Sequence, residues 1–260
     1  MIKLIATDID GTLVKDGENV LNPEFYREIL RLRGKGIQFV AASGRQWHSI
    51  ERIFDPVKEK IFYVSDNGAY VGCHNRQLFT TPIDRRIVMK MIEEVRTCPG
   101  LDIMLSGPDV VYLETENQDF VDWLVNCYRF EVKQVPDLTK VVDQFIKISL
   151  YRKEKIEENT VEIRKKYENQ VKIAISGDMW VDCMALEVSK GAAIRQIQES
   201  LGILPEETMA FGDQLNDLEM LGQAYYSYAI GNARQEVKKA ARFQADTNVN
   251  YGVLKVLRLL

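Results

Sequence analysis

The chain has 260 residues, of which 46% are hydrophobic and 28% are charged, and its formal net charge at pH 7 is -4. This length suffices for one large domain or two smaller ones with a buried core, and the composition is that of an ordinary soluble globular protein. The small negative charge gives no global electrostatic basis for binding nucleic acid or an anionic membrane, although it is compatible with a local basic pocket.

Cysteine usage and hydropathy favour a cytoplasmic protein without membrane insertion. The four cysteines are Cys73, Cys98, Cys127 and Cys183. Their wide spacings contain no CxxC pair, so they predict neither a zinc site nor a disulfide framework, and reduced thiols are expected. The apolar stretch at residues 1–6 is too short for a signal peptide, and no later stretch approaches the length of a membrane span.

The first 75 residues alternate between strand and helix patterns. Apolar runs at residues 2–7, 37–42 and 61–64 predict buried strands. Residues 23–33 and 47–54 predict the helices that connect them. Because strands and helices alternate in this way, we expect a parallel sheet with right-handed crossover connections.

A different pattern begins near residue 82. The predicted elements are helices at 85–96, 118–128 and 153–167, a strand at 145–151, and hairpins that join 101–105 to 110–113 and 171–176 to 180–187. Hairpins and amphipathic helices in this order predict an antiparallel sheet with helices on one face, which is an α+β module.

The first pattern returns after residue 188. The predicted elements are helices at 192–201, 217–221, 235–241 and 252–260, and strands at 208–211 and 225–230. The predicted fold class is therefore α/β, with a parallel-sheet core built from residues 1–81 and 189–260. An α+β domain at residues 82–188 is inserted into that core.

Acidic and polar residues directly follow three of the predicted core strands. The sequence DIDGT occupies residues 8–12, SGR occupies 43–45, and GDQLND occupies 212–217. Ligands of an open parallel sheet bind at the carboxyl ends of its strands, so these three segments are expected to converge in one cleft.

Such a cleft would contain several carboxylates. They belong to Asp8, Asp10, Asp213 and Asp217. Their mutual repulsion would raise their pKa values, and a hard divalent cation with a preference for oxygen ligands, such as Mg²⁺, would relieve it. Because Mg²⁺ also takes phosphate oxygens as ligands, a phosphorylated substrate fits the same cleft.

The remaining polar residues of the cleft suit phosphoryl transfer. Ser43 and the amides near Gly44 could donate hydrogen bonds to a phosphate at a helix start, and Lys190 could supply a positive charge. A carboxylate in this setting can attack phosphorus and form an acyl phosphate. Asp10 lies two residues beyond Asp8, where it could protonate the leaving group and then activate the hydrolytic water.

These motifs resemble those of the haloacid-dehalogenase-like (HAD) superfamily, in the Cof-type phosphatase branch with a type IIB cap. Residues 8–12 correspond to the family's first motif, DxDGT, and Ser43 to its second. Lys190 corresponds to the third motif and residues 212–217 to the fourth, GDxxND. The resemblance covers the whole chain and implies a HAD-like Rossmannoid core, with the insert as the cap that selects the substrate.

The resemblance also implies residue roles. Asp8 would be the nucleophile and a Mg²⁺ ligand, and Asp10 the general acid/base, which binds the metal through its backbone carbonyl. Asp213 would complete the protein ligands and Asp217 would support them. The phosphate would be held by Ser43, Gly44, Lys190 and Asn216. The implied substrates are small phosphorylated metabolites, most often sugar phosphates, and for some members pyridoxal phosphate or flavin mononucleotide.

Other interpretations of these residues stay open at this stage. Taken alone, Ser43 is more typical of a helix cap, Lys190 of a surface lysine, and Asp217 could cap the helix that it begins. A phosphomutase or a signalling module that accepts phosphate on Asp8 would share the nucleophile. The cap residues 178–180 could contact substrate, and cap movement over the cleft is expected. The sequence indicates no macromolecular partner and leaves the oligomeric state open.

Overall fold

A computed structural model gives the structure of residues 1–15, 18–74, 76–128, 130–175 and 179–260. The loop predicted at Gly17 and the hairpin turn predicted at Gly177 and Asp178 lie outside these residues. Among the described side chains, Cys73, Cys98 and Cys183 are free thiols. No helix within the described ranges is both long and apolar enough to cross a membrane.

The secondary structure follows in chain order. The chain begins with β1 (Leu4–Thr7), α1 (Pro23–Gly34), β2 (Gln38–Ala42), α2 (Trp47–Ile53), β3 (Phe62–Ser65), β4 (Tyr70–Cys73) and β5 (Arg76–Thr80). It continues with α3 (Arg85–Val95), β6 (Asp102–Ser106), β7 (Val111–Leu113), α4 (Gln118–Trp123), β8 (Val132–Gln134), β9 (Lys147–Tyr151), α5 (Ile156–Asn159), α6 (Val161–Tyr167), β10 (Lys172–Ile175) and β11 (Trp180–Met184). It ends with α7 (Lys190–Leu201), β12 (Thr208–Gly212), α8 (Leu218–Gly222), β13 (Tyr226–Ala229), α9 (Gln235–Ala240), β14 (Phe243–Gln244) and α10 (Gly252–Leu257).

The chain forms two compact units. The first consists of Met1–Phe79 and Ser189–Leu260, and the second of Thr80–Val188. The predicted domain boundaries lie after residues 81 and 188. The first is two residues later than the boundary in the structure, and the second is at the same position.

The sheet of the first unit has, within the described residues, the strand order β14-β13-β12-β1-β2-β3-β4-β5. Strands β14 to β3 in this order are parallel, and β4 returns antiparallel to β3. β1 is central: Leu4 pairs with Thr208 of β12 on one side and with Gln38 of β2 on the other. Segments about 200 residues apart in sequence therefore end side by side at one sheet edge.

Apolar side chains cover both faces of this sheet. Ile5 and Phe211 pack on one face with α1, α2 and α10. Ala6 and Val40 pack on the other with α7, α8 and α9. Consecutive residues of a strand point to opposite faces, so strands buried on both sides are mainly apolar, as β1, β2 and β12 are apart from one polar residue at an end of each.

Side-chain caps begin α1 and α3. The Asn22 side chain accepts a hydrogen bond from the Glu24 amide at 3.0 Å at the start of α1. Asp84 accepts one from the Arg86 amide at 2.8 Å at the start of α3. Each bond satisfies a backbone donor that has no partner inside its helix.

The sheet of the second unit has the order β10-β11-β9-β6-β7-β8 among the described residues. Its strand pairs are antiparallel except for β7 and β8, which are parallel. One face packs against α3, α5 and α6 in an apolar core, and the other carries an aromatic cluster with α4. The unit is an α+β module, as the sequence predicts, but two details of the prediction are wrong. Helices cover both faces of the sheet and not one, because α4 packs on the second face, and β8 pairs in parallel with β7.

Two predicted helices of this unit are interrupted. The helix predicted at 118–128 is α4 followed by a π-helical turn, Leu124–Tyr128. The helix predicted at 153–167 is divided into α5 and α6 at Thr160, whose hydroxyl donates to the Ile156 carbonyl at 2.7 Å. Such back-bonding by a threonine competes with regular helix hydrogen bonding, a local effect that hydrophobic periodicity does not report.

Candidate active site

Asp8 lies directly beyond the carboxyl end of β1, and the residue is only 5% exposed. Its amide donates to the Phe211 carbonyl at 3.0 Å, which continues the pairing with β12 past the end of the strand. The chain then turns at Gly11, which has φ +80°, and a Cβ there would overlap the carboxylate of Asp213. Only glycine combines this backbone angle with such a close approach.

The turn after β12 brings in two further carboxylates. Thr12 donates to Oδ1 of Asp213 at 2.8 Å, which ties this turn to the one after β1. Oδ2 of Asp217 accepts from the amides of Asp213 at 2.9 Å and Gln214 at 3.0 Å. Asp217 therefore stabilises the turn through its side chain, and it makes no side-chain cap to α8, the helix that follows it.

Lys190 joins these groups from the first turn of α7. The Ser189 hydroxyl caps this helix by accepting from the Ala192 amide at 3.0 Å. Nζ of Lys190 donates to Oδ1 of Asp8 at 2.5 Å and to Oδ1 of Asp217 at 2.7 Å. Because Lys190 is only 1% exposed, its interpretation as a surface lysine is wrong.

The electrostatics of the cluster are dominated by burial. Burial raises the pKa of Asp8 well above its usual range, Lys190 opposes this shift, and repulsion from Asp217 and Asp213 adds to it. Burial and repulsion from Asp217 raise the pKa of Asp213 to about 6, although the Thr12 hydrogen bond opposes them. For Lys190, burial lowers the pKa, but the carboxylates of Asp217 and Asp8 outweigh it and raise the pKa overall.

The carboxylates fit a divalent cation. Oxygen atoms of Asp8, Asp213 and Asp217 lie within 4.8 Å of one another, and all three residues are buried. Oδ2 of Asp8 is buried without a hydrogen-bond partner among the described residues. One lysine cannot balance three carboxylates, so the cluster keeps an excess of negative charge that a cation with oxygen ligands would offset.

Asp10 lies at the half-buried rim of the same turn, where Arg45 holds its carboxylate with two hydrogen bonds. Nε of Arg45 donates to Oδ2 at 2.8 Å and Nη2 donates to Oδ1 at 2.5 Å. Arg45 also donates to the Asn19 side chain at 2.5 Å and to the Glu18 carbonyl at 2.9 Å. This fork fixes the plane and position of the Asp10 carboxylate.

The predicted phosphate-binding residues occupy neighbouring turns. The Ser43 hydroxyl accepts from the Arg45 amide at 3.1 Å, and Ser43 is buried. The exposed Asn216 donates to the side chain of Asn67 at 3.0 Å. A Cβ on Gly44 would lie 3.3 Å from that same Asn67 side chain. Asn67 thus lies between Gly44 and Asn216, while Lys190 contacts Asp8 directly.

Several supporting residues were missed by the sequence analysis. No role was assigned there to Asn232, and Arg45 and Thr12 were named only as letters of the segments at residues 43–45 and 8–12. In the structure, Asn232 donates to the Gly11 carbonyl at 2.7 Å and accepts from the Asn248 amide at 3.0 Å. The polar stretch after β13 was the available signal, but its contacts depend on the strand order.

Residues 5–257 match the sequence profile of the haloacid dehalogenase-like hydrolase family. The chain belongs to this family. The HAD-like hydrolase is 28% identical to 5-amino-6-(5-phospho-D-ribitylamino)uracil phosphatase YbjI of Escherichia coli K12, over 98% of this chain and 95% of that one. The family and its phosphatase relatives make the chain a phosphoric monoester hydrolase.

Solved structures of similar proteins share the fold of this chain. A structure from Eubacterium rectale is 40% identical, with a TM-score of 0.94 over 99% of this chain and 98% of that one. The HAD subclass IIB sugar phosphatase BT4131 shares the fold, with 22% identity and a TM-score of 0.81 over 99% of this chain and 98% of that one. The inserted unit therefore has the fold of a type IIB cap.

Proposed function

We propose that this HAD-like phosphatase is Mg²⁺-dependent and hydrolyses phosphate monoesters of small metabolites, most often sugar phosphates, through an aspartyl phosphate on Asp8. Asp10 serves as its general acid and base. One observation carries the proposal: a buried carboxylate oxygen of Asp8 has no hydrogen-bond partner among the described residues, while the other oxygen is held by Lys190. An oriented carboxylate with an available oxygen is what nucleophilic attack on phosphorus requires.

Asp8 and Asp213 would hold the metal, together with the backbone carbonyl of Asp10, and Asp217 would support them. When bound, Mg²⁺ supplies positive charge that keeps Asp8 ionised and offsets the charge of the phosphoryl group. The Asp217 carboxylate already accepts hydrogen bonds from Lys190 and from two backbone amides. These contacts favour a role in supporting the metal ligands over direct binding of the metal.

In the first half-reaction, an oxygen of Asp8 attacks phosphorus and the ester P–O bond breaks. The departing alkoxide takes a proton from the Asp10 carboxyl, so that a neutral alcohol leaves. Lys190 holds Asp8 in place for this attack and carries a positive charge toward the phosphoryl group. Ser43, the amide of Gly44 and Asn216 are proposed to hold the phosphoryl oxygens.

In the second half-reaction, water attacks phosphorus of the aspartyl phosphate. The Asp10 carboxylate accepts the proton of this water, the bond between phosphorus and Asp8 breaks, and inorganic phosphate and the free carboxylate form. Arg45 keeps the Asp10 carboxylate in one orientation for both transfers.

The substrate class is proposed from the relatives. The name of the Escherichia coli relative describes a phosphorylated ribityl chain, which is a polyol, attached to a pyrimidine. Sugar phosphates and polyol phosphates share a phosphate ester on a hydroxylated carbon chain. A compound of this class is the proposed substrate of the HAD-like phosphatase, and the inserted unit is proposed to select it.

The proposal is tested by measuring phosphate release with Mg²⁺ and with EDTA. The substrates are glucose 6-phosphate, ribitol 5-phosphate, pyridoxal phosphate, flavin mononucleotide and p-nitrophenyl phosphate. We expect Mg²⁺-dependent release, with a sugar or polyol phosphate among the best substrates. Release that is equal in EDTA would contradict the metal requirement, and transfer of phosphate to a second hydroxyl without release would indicate a mutase.

Asp8→Asn provides the matched catalytic control. Its amide oxygen can still accept from Lys190, but the amide is a poor nucleophile, so we expect phosphate release to fall by about 10⁴-fold or more. Thermal unfolding in EDTA checks that the fold persists. Because the substitution removes one of three mutually repelling carboxylates, the variant should unfold no earlier than the wild type. Normal turnover by Asp8→Asn would refute the assignment of the nucleophile.

A further inference from the structure

The turn between β3 and β4 has an unusual backbone. Asp66, Asn67 and Gly68 have φ angles of +48°, +57° and +107°, so three consecutive residues lie in the left-handed region. Asparagine and aspartate adopt this region more readily than most residues with side chains, but the conformation is still strained, and it persists only where the surrounding structure holds it. Strained turns cluster at functional sites, so the position that this turn gives to the Asn67 side chain is of interest.

Backbone hydrogen bonds join this turn to the segment after β2. The Asp66 amide donates to the Arg45 carbonyl at 2.9 Å, and the Asn67 amide donates to the Ser43 carbonyl at 3.0 Å. Gly44 lies between these two acceptors in the chain. A Cβ on Gly44 would be 3.3 Å from both the nitrogen and the oxygen of the Asn67 side-chain amide. The Asn67 side chain therefore fills the space beside the Gly44 backbone.

The Asn67 side chain also contacts the turn after β12. Its Oδ1 accepts a hydrogen bond from Nδ2 of Asn216 at 3.0 Å. Its own Nδ2 makes no hydrogen bond within the part of the chain that the structure describes. Because a side-chain amide carries two N–H donors, the half-buried Asn67 has both of its donors available beside Gly44 and Asn216.

The same turn packs against the start of α7. A Cβ on Gly68 would overlap the Ser189 carbonyl and would lie 3.2 Å from the Lys190 amide. The turn at residues 66–68 thus contacts all three segments that carry the residues expected to hold the phosphate, and every one of these segments belongs to the first compact unit. Those residues are Ser43, Gly44, Lys190 and Asn216.

We propose that Asn67 is a further phosphate-binding residue, whose Nδ2 donates a hydrogen bond to an oxygen of the phosphoryl group. The phosphoryl oxygens share negative charge and accept several hydrogen bonds each, and a donor is stronger when its acceptor is charged. Asn67 supplies such a donor between those of Gly44 and Asn216. This inference rests on the proposed function, since it adds one residue to the phosphate site of that reaction.

Asn67→Gly is the first variant to measure. Glycine adopts a positive φ readily, so the turn should persist and the melting temperature should stay within a few degrees of that of the wild type. Loss of a hydrogen bond to a charged group predicts a fall in kcat/KM of about 10- to 100-fold. The factor should be similar for p-nitrophenyl phosphate and for the best metabolite, because both contain the same phosphoryl group. The inhibition constant of inorganic phosphate should rise by about 10-fold.

Lys155→Gly is the matched control. The exposed Lys155 also has a left-handed backbone, with φ +53°, and it lies in the other unit. The two variants therefore make the same change of backbone freedom, but only Asn67→Gly removes an amide beside the phosphate site. In Lys155→Gly, the kinetics and the inhibition by phosphate should match those of the wild type.

Two further variants separate a direct contact from an effect through Asn216. If Asn67 only oriented Asn216, Asn67→Gly would have no further effect in an Asn216→Ala background, whereas a direct contact predicts a further fall in kcat/KM of about 10-fold. Asn67→Asp keeps an oxygen that can accept from Asn216 and tolerates the positive φ, but it loses both donors and adds a negative charge. We expect it to lower kcat/KM by about 100-fold or more.

The outcomes also separate this inference from the proposed function. A wild type that releases phosphate, with the same kcat/KM and the same inhibition by phosphate in Asn67→Gly, would overturn the role of Asn67 and leave the phosphatase intact. No further effect in the Asn216→Ala background would likewise overturn a direct contact. If Asn67→Gly unfolds below the assay temperature, Asn67→Asp decides, and wild-type kinetics in that variant would overturn the inference. Absence of release by the wild type from every substrate would refute the proposed function itself.

Discussion

At the scale of single residues, the contact between Arg45 and Asp10 connects two motifs that are 35 residues apart. The guanidinium holds both carboxylate oxygens and is itself held by the Asn19 side chain and the Glu18 carbonyl. General acid catalysis requires the acid to lie within hydrogen-bonding distance of the leaving-group oxygen, and a displacement of about 1 Å can lower the rate by about 100-fold. Arg45 is therefore a positioning residue for the role proposed for Asp10.

We expect Arg45→Gln to lower kcat by about 10- to 100-fold with little change in KM, because Asp10 would keep its chemistry but lose its fixed orientation. Steady-state kinetics with the best substrate of the wild type measure this. Arg86→Gln is the control, since Arg86 makes a similar forked contact with both carboxylate oxygens of Asp84 at an exposed position in the other unit. An unchanged kcat in Arg45→Gln would show that Asp10 needs no such support.

The sequence predicted that the candidate residues would lie together, but not how they would contact one another. Asp8, Asp213 and Lys190 could be predicted because they follow strand or cap signals that are local in sequence. Lys190 contacts Asp8 and Asp217 at the same time because of the way α7 approaches the sheet. No sequence feature near residue 190 indicates this approach. Asn232 donates a hydrogen bond to the Gly11 carbonyl, and only the strand order brings these two residues together.

At the scale of elements, the site depends on how closely the start of α7 approaches the turn between β3 and β4. Gly68 in this turn has φ +107°, and a Cβ there would overlap the carbonyl of Ser189. Gly191, one residue after Lys190, has ordinary backbone angles but a similar lack of space, since a Cβ there would overlap the backbone of Glu219. These two glycines set the position of the helix that carries Lys190.

Gly68→Ala should therefore destabilise the protein by about 2 kcal/mol or more, from the unfavourable φ and the overlap together. It should also lower phosphate release, because Lys190 would shift away from Asp8. Thermal or urea unfolding and steady-state kinetics measure the two effects. Gly34→Ala is the control: its Cβ would meet nothing within 4 Å at the end of α1, so the same change should be neutral or stabilising by up to about 1 kcal/mol. Equal stability of both variants would contradict this account.

The elements that the sequence predicted correctly are those with strong periodic or continuous apolar signals. β1, β2 and β12 are short apolar runs with polar ends, and they lie within one or two residues of the predicted bounds. β8 and β14 were not predicted, because they are short and largely exposed, so that pairing with a neighbour defines them better than composition does.

At the scale of the whole molecule, the strand order explains why a 260-residue chain builds its site from distant segments. The order β12-β1-β2 places the ends of three strands side by side, so residues near 8, 43 and 213 meet at one edge. The alternation of strands and helices predicts a parallel sheet but leaves this order undetermined. The result is a concentration of negative charge that the sequence indicates but cannot quantify.

The negative charge concentrated at this sheet edge makes the stability of the metal-free protein depend on pH. Burial raises the pKa of Asp213 to about 6 from an ordinary 3.8, and it raises the pKa of Asp8 in the same direction. Between those values the folded state binds more protons than the unfolded state. The free energy of unfolding therefore falls as pH rises from about 4 to 6, the opposite of the usual effect of a paired carboxylate.

We accordingly predict that, in EDTA, the melting temperature of the wild type minus that of Asp213→Asn decreases by several degrees from pH 4 to pH 7. The comparison with Asp213→Asn removes contributions shared by both proteins. Asp84, Asp137 and Asp246 have pKa values lowered to about 2, so their stabilisation is lost only below about pH 4, outside this range. Adding Mg²⁺ at pH 7 should stabilise the wild type more than the variant, because the cation offsets the charge that burial disfavours. If the difference in melting temperature stays constant or rises with pH, the pKa of Asp213 is not raised in the folded protein, and this account is wrong.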